Sequence, residues 1–156
     1  MPSGPARPEL LDSELVTRVG LLLEVASSLE RRLDANLRGA IGLPVSSHEV
    51  LIRLERTPGH RKPLVELGRE LAITTGGVTR LIDRLERDGL VRRVRVEGDR
   101  RMVYAEITEA GSTLVGASLP AHVADLEAVF AALSAEEQRA LDVLLRSLRD
   151  RLWSGR

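Results

Sequence analysis

Residues 71–91 read LAITTGGVTRLIDRLERDGLV, and a few positions later residues 99–101 read DRR. In the first stretch Val78, Leu81, Ile82 and Leu85 recur at the spacing of a single buried helix face. Thr74 opens this helix and Gly89 stops it, so the spacing predicts a helix from Thr74 to Asp88. Thr75, Thr79, Arg80, Asp83, Arg84 and Arg87 fall away from the apolar face, so one helix serves a core and still presents short polar and basic groups outward. Gly76 and Gly77 would each cost roughly 1 kcal/mol in a helix interior. In a first turn they either allow another backbone to come close or merely loosen the N-terminus. After Gly89 the period changes. Residues 90–96, LVRRVRV, end in alternation of apolar and Arg residues, Glu97-Gly98-Asp99 forms a turn, and residues 102–107 return. The pair is a two-stranded hairpin with Arg95, Arg100 and Arg101 at its tip.

Working outward, Pro63 suits the first position of a short helix whose Leu64, Leu67 and Leu71 point inward. Before it, Ser46 and Glu49 have capping-box spacing ahead of Val50, Leu51 and Leu54, and this helix ends near Thr57-Pro58-Gly59. Earlier still, Leu15, Val19, Leu22, Ala26, Leu29, Leu33, Leu37 and Ala40 form one continuous helical stripe, ended by Gly39, Gly42 and Pro44. A stripe of this length is more than a small monomer usually hides, so it predicts packing against another chain. Beyond the hairpin, Thr108 caps a helix carrying Leu114, Val115, Leu119, Val123, Leu126 and Phe130, with a kink or break expected at Pro120. Ser134 and Glu137 form a second capping box, before a terminal stripe of Leu141, Leu144, Leu145, Leu148 and Leu152.

Composition closes several routes. Of the 156 residues 43% are hydrophobic and 29% charged, an ordinary globular balance, and no apolar run approaches a membrane span. The Pro-rich first residues lack an apolar signal core, so they read as a leader and the expected location is cytoplasmic, with no membrane partner. The absence of cysteine excludes disulfides, thiolate metal sites and thiol redox switches. Aromatic residues, at 2%, are too few for a base-stacking platform, so any nucleic acid bound is expected to be duplex. His48, His60 and His122 are dispersed without ligand-spaced partners. They predict no metal site and are expected at the surface or core edge. Glu136, Glu137, Asp83 and Asp88 sit at a helix cap or on a charged face, and no nucleophile elbow or phosphate-cradling loop is present. Neither an enzyme nor a cofactor is expected.

Net charge is zero, but unevenly spread: residues 1–55 carry −2, residues 56–101 carry +5 and residues 102–156 carry −3. The basic segment contains the short helix, the turn Ala72-Ile73-Thr74, the second helix and the hairpin, the order of a helix-turn-helix with a wing. In such a unit Thr74 or Thr75 caps the helix or bonds a phosphate, and the helix N-terminus attracts that phosphate. Gly76 and Gly77 permit close approach, while Thr79, Arg80 and Arg84 reach base edges or backbone. Arg95, Arg100 and Arg101 are the candidate wing contacts.

Residues 71–91, with Asp99-Arg100-Arg101 and Ile107-Thr108-Glu109-Ala110-Gly111, resemble the MarR family of bacterial transcription regulators. The likeness spans most of the chain, from about Leu11 to Leu152. It implies a mainly α winged helix-turn-helix protein with a two-stranded wing and long terminal dimerisation helices. By this resemblance residues 1–9 are a flexible leader, residues 10–44 and 109–156 form the dimerisation region, and residues 45–108 form the DNA-binding domain. It further implies a homodimer on a pseudo-palindromic double-stranded operator, repression as the usual outcome, and a wing in which Asp99 holds Arg101 toward the minor groove. An aimed Arg is what a narrow A·T-rich minor groove attracts, whereas an exposed hairpin ion pair alone is worth little. The resemblance extends to a small effector, aromatic or phenolic, seated where the dimer helices meet the winged helix. No lining residue is assignable from sequence. The competing reading, motivated by zero net charge, is a winged-helix dimer acting as a protein-interaction module with weak DNA affinity.

Overall fold

The face formed by Val78, Leu81, Ile82 and Leu85 is buried as its spacing predicts, and the rest of the core is assembled around it. The computed structural model describes residues 13–96 and 99–154, and the side chains of residues 96–101 fall outside that description. The leader expected at residues 1–9 and the turn residues Glu97 and Gly98 also lie outside the described residues. The elements run α1 (Glu14–Ile41), α2 (Val45–Glu55), a 3-10 turn (Pro58–His60), β1 (Arg61–Pro63), α3 (Leu64–Glu70), α4 (Thr75–Arg87), β2 (Val91–Val96), β3 (Asp99–Ile107), α5 (Glu109–Phe130) and α6 (Ala135–Ser154). The chain forms two compact units that divide after Ser118.

In the first unit, Val50, Leu51 and Leu54 of α2 meet Leu67 of α3, the buried face of α4, and Val91, Ala105 and Ile107 of the sheet. This sheet has three antiparallel strands in the order β1-β3-β2, one more than the expected hairpin. Pro63, expected inside a helix, ends β1 opposite Tyr104 and precedes the first residue of α3. The long first helix is present. Only its C-terminal part is covered: Leu33 and Leu37 are buried, whereas Leu15, Val19 and Leu22 are exposed.

The expected capping box on α2 does not form. The helix begins earlier than predicted, with Pro44 at its N-cap and no side-chain cap from that residue. Glu49 instead pairs with Arg53 at 3.2 Å. The free amide at the start of α2 is taken by α1: Val45 N donates to Asp34 Oδ1 at 2.9 Å, while Arg38 Nε donates to Asp34 Oδ2 at 2.6 Å. Both bonds favour the ionised carboxylate and hold Asp34 below its ordinary value. His48 is fully buried, not at a surface or core edge, and its Nε2 lies 2.9 Å from Ser118 Oγ.

In the second unit the Ser134–Glu137 box forms as read. Glu137 Oε2 accepts from Ser134 N and Ser134 Oγ, both at 2.8 Å, which lowers its pKa. Gln138 Nε2 donates to the carbonyls of Phe130 and Leu133 and closes the turn before α6. Helix α5 contains Pro120 and is not broken there, contrary to one of the two outcomes expected. Among the described residues no single helix is long and apolar enough to cross a membrane.

Candidate nucleic-acid interface

Two helix stops set the reading element. At the end of α3, Ile73 N bonds Gly68 O at 3.0 Å and Ala72 N bonds Arg69 O at 3.1 Å, the paired pattern of a Schellman motif. Its left-handed residue is Ala72, at φ +53°, where glycine is more usual. At the end of α4 the same pattern recurs with Leu90 N on Leu85 O and Gly89 N on Glu86 O, and here Gly89 supplies the positive φ. The first stop turns the chain into α4, and the second turns it out into β2.

Thr74 is the N-cap of α4, its Oγ1 accepting from Gly77 N at 3.1 Å. The two glycines then part company. A Cβ on Gly77 would meet Thr74 Oγ1 at 3.3 Å, so the cap itself needs a small residue there. A Cβ on Gly76 would meet nothing within 4 Å. Thr75, Thr79, Arg80 and Arg84 are exposed along the outer face. The hydroxyl of Thr79 donates back to Thr75 O at 2.9 Å, so outward it offers a methyl and acceptor lone pairs. Among the described residues Arg80, Arg84 and Arg87 form no ion pair, unlike Arg92 and Arg93 of β2.

The most connected cation in this region was not among the candidates. Arg93 on β2 donates to Asp83 Oδ1 at 2.6 Å, Glu86 Oε2 at 2.5 Å and Thr79 O at 3.3 Å, and its backbone N–H donates to Glu86 Oε1 at 3.0 Å. Burial alone would lower its pKa, but the Asp83 and Glu86 carboxylates outweigh this and raise it. Next to it Arg92 pairs with Glu106 directly across the ladder. Arg95 is exposed, just before a register shift between Arg95 and Val96. Asp99, Arg100 and Arg101 begin β3, and their side chains lie outside the described residues. The signal for the Arg93 contacts was an acidic pair one turn apart on α4, followed by an Arg-rich strand.

The sheet is tied to α5 by Thr108. Its N–H bonds Leu90 O, its Oγ1 donates to Gly89 O at 2.7 Å, and the same oxygen caps Gly111 N at 3.1 Å. A Cβ on Gly111 would sit 2.3 Å from Leu90 O, which explains a glycine there. An open groove of about 590 Å³ is lined by Glu30, Arg31, Asp34 and Arg38 of α1, Ser46 of α2 and Arg84 of α4, among others.

Comparison with known proteins agrees with this geometry. Residues 41–102 match a family model described as MarR family. The chain is 36% identical over 96 residues, 62% of each chain, to the HTH-type transcriptional regulator YkoM of Bacillus subtilis. It is 30% identical over 152 residues to the HTH-type transcriptional regulator PecS of Dickeya dadantii, covering 96% of this chain and 90% of that one. Among solved structures it superposes on Sco3205, a MarR family regulator from Streptomyces coelicolor in complex with DNA, with a TM-score of 0.80 and 30% identity, covering 97% of this chain and 92% of that one. A winged helix-turn-helix, an outer face whose arginines form no ion pair among the described residues, and relatives that match nearly end to end lead to one conclusion: this chain belongs to the MarR family of transcriptional regulators, which are DNA-binding proteins and not enzymes.

Proposed function

We propose that the chain is a cytoplasmic, sequence-specific regulator that binds a pseudo-palindromic duplex operator as a homodimer and represses by occupying it. The observation that carries this reading is Gly76. Among the described residues nothing requires a glycine there, and an open first turn beside a helix N-terminus suits a phosphate backbone. In this reading residues 45–108 are the DNA-binding domain, residues 10–44 and 109–156 the dimerisation region, and residues 1–9 a leader. Thr74 and Thr75 hold phosphate, Gly76 and Gly77 admit it, and Thr79, Arg80 and Arg84 face the major groove. Arg95 and Arg100 bind backbone beside the wing, and Asp99 aims Arg101 into the minor groove.

In this reading a small aromatic or phenolic effector sits in the groove beside α1, where Arg31 and Arg84 offer cations to an anionic group. Because Arg84 also lies on the reading face, a ligand there competes with DNA for that side chain. It also favours a spacing of the two reading heads that no longer matches the operator. The test is fluorescence-anisotropy titration of duplex from the chain's own upstream region against scrambled duplex, at several salt concentrations. Tight, selective binding that weakens steeply with salt is expected. Weak binding, equal on both duplexes, would leave either an operator outside that region or the interaction module, and a genomic pull-down separates the two.

A further inference from the structure

The geometry points to Arg93 as a positioning residue that locks the wing to the recognition helix α4, so that both grooves are read by one rigid body. This rests on the DNA-binding reading above and adds a residue that touches no DNA in it.

Among the described residues little else holds the wing beyond its root. The third strand β1 pairs with β3 only at Tyr104, Ala105 and Glu106, and past Val94 the ribbon is two strands with a register shift at Arg95/Val96. Two-stranded ribbons are marginal by themselves. Arg93 pairs with Ala105 at the last rung but one before that free stretch, and it is there that the ribbon grips α4. The grip is not a single exposed ion pair, which would be worth little. One guanidinium, 27% exposed, meets two carboxylates and a main-chain carbonyl, while its own backbone N–H meets Glu86 again. The leverage is large. Three residues of strand make an arm of about 10 Å, so play of about 10° at the root displaces the tip by about 2 Å, enough to lose a hydrogen bond. The carbonyl in the clamp belongs to Thr79, itself on the reading face, so helix and wing share an attachment point. Arg93 also offsets one of the two negative charges of Asp83 and Glu86, which would otherwise stand as two bare carboxylates beside phosphates.

The test uses the full chain carrying Asp83→Asn and Glu86→Gln together. These are near-isosteric changes at half-exposed side chains that leave the core untouched. Since the chain has no cysteine, Arg95→Cys gives a unique fluorophore site on the wing. Free in solution, the fast local component of its anisotropy decay is expected to at least double in amplitude in the Asn/Gln background, with Arg93→Lys intermediate because an ammonium cannot fork between both carboxylates. An unchanged amplitude would overturn the clamp.

A second reading comes from duplex selected by the protein from a randomised library. Arg101→Ala is expected to weaken binding at least tenfold in the unaltered chain and less than threefold in the Asn/Gln background, since an unaimed wing has little left to lose. Equal losses in both backgrounds would overturn the coupling while leaving the DNA-binding reading intact. If Arg101→Ala has no effect in the unaltered chain, the minor-groove role falls and the anisotropy decay alone decides the clamp. Charge is controlled by sign: removing two carboxylates without any loss of aim would tighten binding to selected and scrambled duplex alike, and that result also counts against the clamp.

Discussion

Helix α4 and helix α6 carry the same kind of apolar spacing and meet different fates. In α4 all four residues of the stripe are buried. In α6 no residue is buried, and Leu144, Leu148 and Leu152 are 62%, 51% and 72% exposed. The N-terminal half of α1 behaves like α6. Helical periodicity states that a face requires cover, and says nothing about whether the same chain provides it. The winged helix-turn-helix completes its own core. The long helices carry a surplus, and it is this face that the proposed dimer would cover.

The contrast can be broken at either end. Ile82→Ala should cost about 3 kcal/mol in urea unfolding, as for a buried large-to-small change, and a loss below about 1 kcal/mol would mean that the head core is not self-sufficient. Leu144→Glu with Leu148→Glu should weaken self-association at least about 100-fold, near 2.7 kcal/mol, seen by sedimentation equilibrium as a monomer with its helical circular dichroism retained. A dimer persisting at micromolar protein would place the interface elsewhere. On the reading face, Gly76→Ala should weaken duplex binding about tenfold, near 1.4 kcal/mol, while the thermal midpoint holds or rises slightly. Gly77→Ala should lower that midpoint, because it crowds the Thr74 cap. The smallest effect is expected at the turn into α4, where Ala72→Gly relieves a left-handed alanine and should add about 0.5 kcal/mol by thermal melt, net of glycine's extra chain entropy.

How much was legible follows the range of the interactions. Helix α4, its Thr74 cap and its Gly89 stop were readable because each depends on residues within a turn or two. The Thr108 and Ser134 caps were readable for the same reason. Strand β1 was not: Arg61, Lys62 and Pro63 have no strand character of their own and are extended only because β3 pairs with them. The cap on α2 was misread because Ser46 and Glu49 match a local pattern that a distant carboxylate pre-empts. Asp83, Glu86 and Arg93 gave only the usual alternation of charges on exposed faces, which looks the same whether the charges are solvated or locked together. His48 is polar by composition, and its burial depends on Ser118, 70 positions away.

The Asp34 contact also constrains how such a sequence can drift. A carboxylate from inside α1 anchors the start of α2, and Pro44, at the position that normally supplies the cap, has no side-chain bond to offer. Position 44 can therefore compensate position 34 only in part: the acid at 34 serves the amide of Val45, while a capping side chain at 44 would serve an amide one or two residues further along α2. Replayed in the laboratory, Asp34→Ala should lower the melting temperature and a further Pro44→Asp should restore part of the loss. The same Pro44→Asp change in the parent chain, where α2 is already anchored at its first amide, should gain less.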